Sequence, residues 1–186
     1  MGRTYMVLLK SSRLYFRPLT EQDIDEFVDL LIRNKQFWTI FEPKHPEPFY
    51  TREAQLEKLA EARQAQRLGK EYSWGIYHSD TNRLIGSVSI YSIRRLPFAS
   101  AYIGYSLDEH HTKQGYGTEA VEAALRFAFR EFGLHRVEAM VSPKNEASQK
   151  VLEKVGMFRE GTLRKNLFIN GVWEDHYLYS MLEEDF

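Results

Sequence analysis

The stretch "HHTKQGYGTEAV", residues 110–121, places two glycines one residue apart, directly before a segment with the pattern of a helix. The first backbone amides of a helix have no partner within it, and the helix dipole adds partial positive charge there. Because glycine has no Cβ, Gly115 and Gly117 let those amides approach a ligand closely. This arrangement favours an anion site, most naturally for phosphate or pyrophosphate. The simpler alternative is that the two glycines only make a tight turn.

Two familiar kinds of phosphate-binding loop do not fit this stretch. The Walker loop ends in Gly-Lys-Ser/Thr, whereas this sequence reads Gly117-Thr118-Glu119. A dinucleotide-binding loop needs a third small residue, a place that Ala120 could fill, but it belongs early in a parallel βαβ array. Here three strand-like runs with the pattern of an antiparallel meander come first.

A second pair of polar residues, Asn145 and Ser148, opens another predicted helix, which extends from about Asn145 to Val155. Asn145 follows Pro143 and is a preferred helix N-cap, so Ser148 falls at the third helical position. The cap is a structural function that requires no ligand.

The elements that must position these residues are predicted from the spacing of apolar residues. "RLYFRPL" (13–19) is a strand that stops at Pro18, and Thr20 then caps an amphipathic helix. The later elements are a helix from Thr51 to about Leu68, strands in "EYSWGIYH", "RLIGSVSIYSI" and "ASAYIGYSL", a helix over 118–132, a strand over 135–142, the helix from about Asn145, and a hairpin that turns at Asn170-Gly171. The order β-α-α-β-β-β-α-β-α-β-β predicts an α/β (α+β mixed-sheet) fold.

The composition fits a single domain over residues 1–186 and excludes several functions. Lys and Arg number 25 and Asp and Glu number 26, so the basic excess typical of nucleic-acid binding is absent. There is no cysteine for a disulfide or a thiolate site, and no His/Asp/Glu set has zinc-ligand spacing. No apolar run approaches the roughly 18 residues of a membrane span. We therefore expect a cytoplasmic protein with no metal, no membrane and no nucleic-acid partner.

Nearly the whole chain resembles the GNAT superfamily of acyl-CoA N-acyltransferases. "LYFRPLTEQDIDEF" is similar to the family's opening strand and helix, and "LIGSVSIY" to its central strand. "AYIGYSLDEHHTKQGYGTEAVEAAL" is similar to its splayed fourth strand, pyrophosphate loop and following helix. The most specific stretch is "RVEAMVSPKNEASQKVLEKVGMFREG", which resembles the branch of the ribosomal-protein N-terminal acetyltransferases. The stretch "NGVWEDHYLYSML" resembles the closing hairpin of the same branch.

The resemblance implies the GNAT fold and acetyl-CoA as co-substrate, held mainly by main-chain amides. Leu107, at the end of the splayed strand, would offer free edge amides to the pantetheine arm and the thioester oxygen. Asn145 would bond pantetheine, and Ser148 would give a proton to the leaving sulfur. Lys113 and Lys150 could meet the phosphates. The residues assigned to the coenzyme are Leu107, Thr112, Lys113, Gln114, Gly115, Tyr116, Gly117, Thr118, Asn145 and Ser148.

The sequence leaves the general base open. Acetyl transfer needs a neutral amine, and an α-amino group with a pKa near ~8 is mostly protonated at pH 7. Glu109 directly follows the splayed strand, and Glu138 lies within "RVEAMV", where it faces either solvent or a cleft. Deprotonation relayed by water is an equal alternative. Some family members carry a glutamate on the first strand of the closing hairpin, where this chain has Leu167.

The acceptor amine is the least defined part of the reaction. The resemblance implies the α-amine of a protein or peptide N-terminus, with a ribosomal protein as the candidate partner. The alternatives are a small-molecule amine, such as a polyamine or an antibiotic, and a CoA-binding module without turnover. Phe37, Trp38 and Phe41, beside a loop with three prolines, are either a lip for the acceptor or part of the core. A monomer and a homodimer are both compatible with the sequence.

Overall fold

The computed structural model describes residues 9–186, which form one mixed sheet with helices on both faces. The strands are Leu9–Lys10 (β1), Leu14–Arg17 (β2), Tyr72–His78 (β3), Leu84–Arg94 (β4), Ser100–Leu107 (β5), Arg136–Val141 (β6), Phe158–Ile169 (β7) and Val172–Leu182 (β8). The helices are Ile24–Trp38 (α1), Arg52–Arg67 (α2), Tyr116–Arg126 (α3) and Glu146–Lys154 (α4). Across the sheet the strands lie in the order β1-β2-β3-β4-β5-β6-β8-β7.

The predicted mixed α/β fold is confirmed, with small differences at the element ends. The structure adds β1, which pairs antiparallel with β2. α1 begins at Ile24 because a short 3₁₀ turn over Glu21–Asp23 comes first, where the Asp23 carboxylate accepts a hydrogen bond from the Thr20 amide at 2.7 Å. The helix predicted over 118–132 begins earlier, at Tyr116, and continues after Arg126 as a π-turn over Phe127–Glu131.

Strands β5 and β6 pair in parallel, unlike the antiparallel pairs elsewhere in the described sheet. Their register joins only Ser100–Tyr102 to Arg136–Glu138. β5 stays paired with β4 as far as Leu107, and β6 stays paired with β8 as far as Val141. The sheet therefore opens between the carboxyl ends of β5 and β6, and main-chain groups of β5 are left facing the gap.

The two pairs of helices cover opposite faces of the sheet. Ile76 of β3 packs in the main core with α3 and Leu152 of α4, whereas its neighbour Tyr77 packs with Leu30 of α1. Successive side chains of a strand point to opposite faces, so α3 and α4 lie on one side and α1 on the other. α2 packs beside α1 and against β3. No helix in the described part of the chain is long and apolar enough to cross a membrane.

The closing hairpin turns at the residues predicted for it. Asn170 and Gly171 both have positive φ angles, 51° and 93°, as a two-residue turn between twisted strands requires. The Asn170 side chain donates from Nδ2 to the Thr39 carbonyl at 3.0 Å and accepts at Oδ1 from the Lys44 amide at 3.3 Å. The tip of the hairpin is thus tied to the loop that follows α1.

Candidate active site

A cleft of about 680 Å³ opens where β5 and β6 separate. Its walls come from the end of α1 and the loop after it, from β5, from the glycine loop and from α4. Because α1 and α4 cover opposite faces of the sheet, the cleft passes through the sheet. One end lies at the start of α3, and the other lies beside the aromatic residues at the end of α1.

The start of α3 forms the first end of the cleft. Gly115 precedes the helix with φ of 87°, a left-handed conformation that favours glycine, and Tyr116 is the first helical residue. The amides of this first turn have no acceptor within the helix. A Cβ on Gly117 would lie 3.3 Å from Val151 of α4 and 3.4 Å from Leu107, so glycine here also permits close packing.

Most residues assigned to the coenzyme from the sequence meet in this cleft, and two do not. Gln114 is turned away, with its Nε2 donating to the His110 carbonyl at 3.0 Å. The Tyr116 hydroxyl lies 3.0 Å from His78 Nε2, and the tyrosine is buried. Neither side chain lines the cleft, so the part of these two residues that is placed for a ligand is their main chain. The assigned residues that line the cleft are Leu107, Thr112, Lys113, Gly115, Gly117, Thr118, Asn145 and Ser148.

Arg13 holds the glycine loop in place and was missed by the sequence reasoning. Its Nη2 donates to the Gln114 carbonyl at 2.9 Å, and its Nε donates to the Glu119 carboxylate at 2.6 Å. Burial would raise the pKa of Glu119, but hydrogen bonds from Ser11 and Arg13 lower it, so the carboxylate is held ionised. One guanidinium thus joins the loop to the first turn of α3. No local motif marks this residue, because it lies far from the loop in sequence.

Lysines give the same end of the cleft a positive field. Lys113, Lys150 and Lys154 line it and make no ion pair with a described carboxylate. Lys144 also lines the cleft but is paired with Glu174 at 2.9 Å. Unpaired cations around free helix amides attract a ligand with several negative charges.

Ser148 and Tyr105 form a hydroxyl pair in the middle of the cleft. The two oxygens lie 2.7 Å apart, and the Tyr105 hydroxyl also donates to the Ser148 carbonyl at 3.2 Å. Burial raises the pKa of Tyr105 to about 12, although the hydrogen bond with Ser148 opposes the shift. Tyr105 therefore keeps its proton near neutral pH. The pair can donate a proton to a group that develops negative charge beside it.

Asn145 is the N-cap of α4, as the sequence predicts. Its Oδ1 accepts a hydrogen bond from the Ser148 amide at 3.0 Å. The cap fixes the first turn of α4, and that turn places the Ser148 hydroxyl against Tyr105. Asn145 also lines the cleft, so the structural function and contact with a ligand are compatible.

The amide of Leu107 is directed into the gap between β5 and β6. The Asp108 amide donates to the Ile85 carbonyl of β4 at 2.8 Å. Because N–H groups alternate sides along a strand, the Leu107 amide faces away from β4. On that side Trp38 Nε1 donates to the Leu107 carbonyl at 2.9 Å. The carbonyl is occupied, and the amide is placed to serve as an oxyanion donor.

The second end of the cleft is aromatic. Phe37, Trp38 and Phe41 line it together with Glu42. Trp38 also packs against the small core cluster around Leu30, so this residue belongs in part to the core, and a lip for the acceptor stays a prediction.

The two carboxylates considered as bases differ in position. Glu109 lines the cleft, and its amide donates to the Asn34 side chain at 2.8 Å. Glu138 is not brought to the cleft: it is buried and bonds Arg94 at 3.2 Å and Arg136 at 2.8 Å. The alternation along the strand predicts which face of the sheet carries Glu138. It does not show that this part of the face lies outside the cleft. Leu167 pairs with Glu174 in the hairpin and is also outside the cleft.

Comparison with known proteins agrees with this architecture. Residues 13–158 match the acetyltransferase (GNAT) domain family. A probable N-acetyltransferase of Bacillus subtilis, YjcK, is 41% identical over 96% of this chain and 98% of its own length. The [ribosomal protein uS5]-alanine N-acetyltransferase of Escherichia coli is 27% identical over 96% of this chain and 92% of its own length. The structure of the ribosomal-protein-S5-alanine acetyltransferase of Vibrio fischeri superposes with a TM-score of 0.91 at 31% identity, covering 96% of this chain and 98% of that one.

The open mixed sheet, the free amides at the start of α3 and the match to the acetyltransferase family together identify the class as an acyltransferase. The chain belongs to the GNAT acetyltransferase family and is an N-acetyltransferase that uses acetyl-CoA.

Proposed function

We propose that this protein acetylates the N-terminal α-amine of a protein, with a ribosomal protein as the candidate substrate. The observation that carries the proposal is the contrast between the two ends of the cleft. One end offers free helix amides and three lysines that pair with no carboxylate among residues 9–186, and the other is aromatic and holds Glu42, one of three carboxylates in the cleft together with Glu109 and Glu146. A polyamine carries several positive charges, which the four lysines that line the cleft (Lys113, Lys144, Lys150 and Lys154) oppose, whereas a peptide N-terminus carries one positive charge on a narrow, extended chain.

In this proposal the coenzyme lies in the lysine-lined end. The pyrophosphate contacts the amides of Gly115, Tyr116, Gly117 and Thr118, and Lys113 and Lys150 balance its charge. The pantetheine arm follows the unpaired edge of β5 past Asn145. The thioester carbonyl then accepts a hydrogen bond from the Leu107 amide, which stabilises the oxyanion as the amine attacks.

The hydroxyl pair completes the transfer. The thiolate of CoA is a leaving group with a pKa near ~8.5, so protonation during C–S cleavage assists its departure. Ser148 donates this proton and is hydrogen-bonded to Tyr105, which is itself protonated near neutral pH. Among the residues considered as bases from the sequence, Glu109 is the one at the cleft.

The acceptor class is tested by incubating the protein with acetyl-CoA and a panel of amines while the release of free thiol is measured. The panel contains peptides that begin with alanine or serine, spermidine and an aminoglycoside. We expect the peptides to have the highest kcat/KM. Faster turnover of spermidine or of the aminoglycoside would assign the protein to small-molecule amines. Binding of acetyl-CoA without thiol release for any amine would indicate a CoA-binding module.

A further inference from the structure

A carboxylate that no sequence motif marks lies at the aromatic end of the cleft. Glu42 belongs to the loop between α1 and α2 and lines the cleft with Phe41 and Trp38. Its carboxylate accepts a hydrogen bond from the Ser106 hydroxyl at 3.4 Å. Among residues 9–186 it makes no ion pair with a lysine, arginine or histidine. The carboxylate is therefore available to a cation that enters the cleft.

The loop that carries Glu42 is fixed on both sides. Asn170, at the tip of the closing hairpin, bonds the Thr39 carbonyl on one side of Glu42 and the Lys44 amide on the other. The Trp38 indole bonds the Leu107 carbonyl and joins the beginning of the loop to β5. These contacts hold Glu42 over the gap in the sheet.

Strand β5 relates Glu42 to the hydroxyl pair. Tyr105 and Ser106 are consecutive residues of the strand, so their side chains point to opposite faces of the sheet. Tyr105 contacts Ser148 on the α4 side, and Ser106 contacts Glu42 on the α1 side. The Ser148–Tyr105 hydroxyl pair and the Glu42 carboxylate thus lie on opposite faces of the sheet, at neighbouring positions of β5 and next to the Leu107 amide.

The surroundings of Glu42 suit a base. Although the side chain is open to the cleft, the surrounding protein displaces water and raises the pKa of its carboxyl, while the Ser106 hydrogen bond opposes the shift. A carboxylate with a raised pKa accepts a proton more readily than one in bulk water. The other ionisable groups that line the cleft are Tyr105, Glu109, Lys113, Lys144, Glu146, Lys150 and Lys154.

We propose that Glu42 is the general base that deprotonates the acceptor ammonium. This inference rests on the proposed amine acetylation. Glu42 takes one proton from the ammonium and passes it to solvent. The neutral nitrogen forms a bond to the thioester carbon, the C–S bond breaks, and sulfur leaves with the electron pair and takes a proton from Ser148. As the tetrahedral intermediate collapses, the nitrogen loses its second proton to solvent. Solvent in turn returns a proton to the Ser148 oxygen, which restores the hydroxyl pair.

Glu42→Gln tests the proposal, with Glu47→Gln as the matched control. Glu47 lies on the same loop but is exposed and paired with Lys35. Glu42→Asp tests whether a shorter carboxylate restores part of the activity, and Glu109→Gln tests the competing carboxylate. For each variant, kcat/KM is measured from pH 6 to pH 9.5 and the acetyl-CoA Kd at pH 7. The acceptor is whichever amine of the panel the unmodified protein acetylates fastest, so a wrong acceptor class changes the ranking of amines without affecting this comparison.

For Glu42→Gln we expect kcat/KM at pH 7 to fall about 10²- to 10⁴-fold, on the scale of general-base contributions, with an unchanged acetyl-CoA Kd. The loss should shrink as the pH rises past the acceptor pKa of ~8, because the amine then arrives neutral. Glu47→Gln should retain full activity. An equal loss at every pH would reduce Glu42 to a structural residue and overturn the proposal. A pH-dependent loss found in Glu109→Gln and absent from Glu42→Gln would assign the base to Glu109 instead.

Discussion

Replacement of Ser148 by alanine separates chemistry from binding in this protein. The hydroxyl lies 2.7 Å from the Tyr105 hydroxyl, whereas the cap on α4 uses the Ser148 amide, which alanine retains. Tyr105 also keeps its hydrogen bond to the main-chain carbonyl of residue 148 at 3.2 Å. The change therefore removes one hydrogen bond between side chains and leaves the helix start intact. We expect a loss of about 1 kcal/mol in the free energy of unfolding.

The effect on catalysis should be much larger than the effect on stability. In the proposed mechanism the hydroxyl gives its proton to sulfur as negative charge develops there, so we expect its removal to lower kcat and to leave ground-state binding of acetyl-CoA nearly unchanged. General-acid contributions are typically 10²- to 10⁴-fold. We expect a loss near the lower limit, about 10²-fold, because Tyr105 remains close and keeps its proton.

The assay combines thiol release under saturating substrates, calorimetric titration with acetyl-CoA and thermal unfolding. Tyr105→Phe and the double variant are measured alongside, and the two losses should not multiply, because the hydroxyls act as one unit. An unchanged kcat in Ser148→Ala would refute the assignment of the acid. A loss of acetyl-CoA affinity as large as the loss of kcat would show that Ser148 serves binding.

Four further outcomes are expected. Asn145→Ala should lower the free energy of unfolding by about 1 kcal/mol through the lost cap and weaken acetyl-CoA binding, as thermal unfolding and calorimetry will show. Arg13→Ala should weaken acetyl-CoA binding about tenfold, since the glycine loop loses its bond to α3, while kcat at saturation changes little. Acetyl-CoA should raise the Tm far more than NAD or ATP does, and a larger shift with NAD would contradict the interpretation of the glycine loop. Hydrogen bonds from Arg136 and Ser180 lower the pKa of Glu160 to about 2. The ionised Glu160 carboxylate therefore stabilises the fold above about pH 4.5, and this stabilisation is lost as the pH falls towards 2. Glu160→Gln should reduce the drop in Tm between pH 5 and pH 3.

Signals confined to a few consecutive residues allowed the sequence to predict much of the local structure at the candidate site. Gly115 before α3, Asn145 as the N-cap of α4 and the turn at Asn170-Gly171 all depend on backbone conformation and short-range hydrogen bonds. Residue type and spacing reveal such features directly. The order of the elements followed from the same local patterns and from the family resemblance.

The parts that were missed depend on contacts between distant segments. Tyr105 meets Ser148 only because β5 and α4 meet at the gap in the sheet, and Arg13 reaches the glycine loop from the position just before β2. Glu42 lies in a loop whose sequence suggests only irregular structure. Glu138 shows the opposite case, a carboxylate on a suitable strand that two arginines hold outside the cleft. Alternation along a strand shows which residues share a face, but not which part of that face is covered.

The most direct test of the proposed function is to locate the transferred acetyl group. A peptide with a free α-amine and one internal lysine is incubated with the protein and acetyl-CoA, and tandem mass spectrometry identifies the modified nitrogen. The same peptide with a blocked N-terminus serves as control. We expect a single acetyl group on the α-nitrogen and none on the blocked peptide. Acetylation of the lysine side chain in both peptides would contradict N-terminal acetylation.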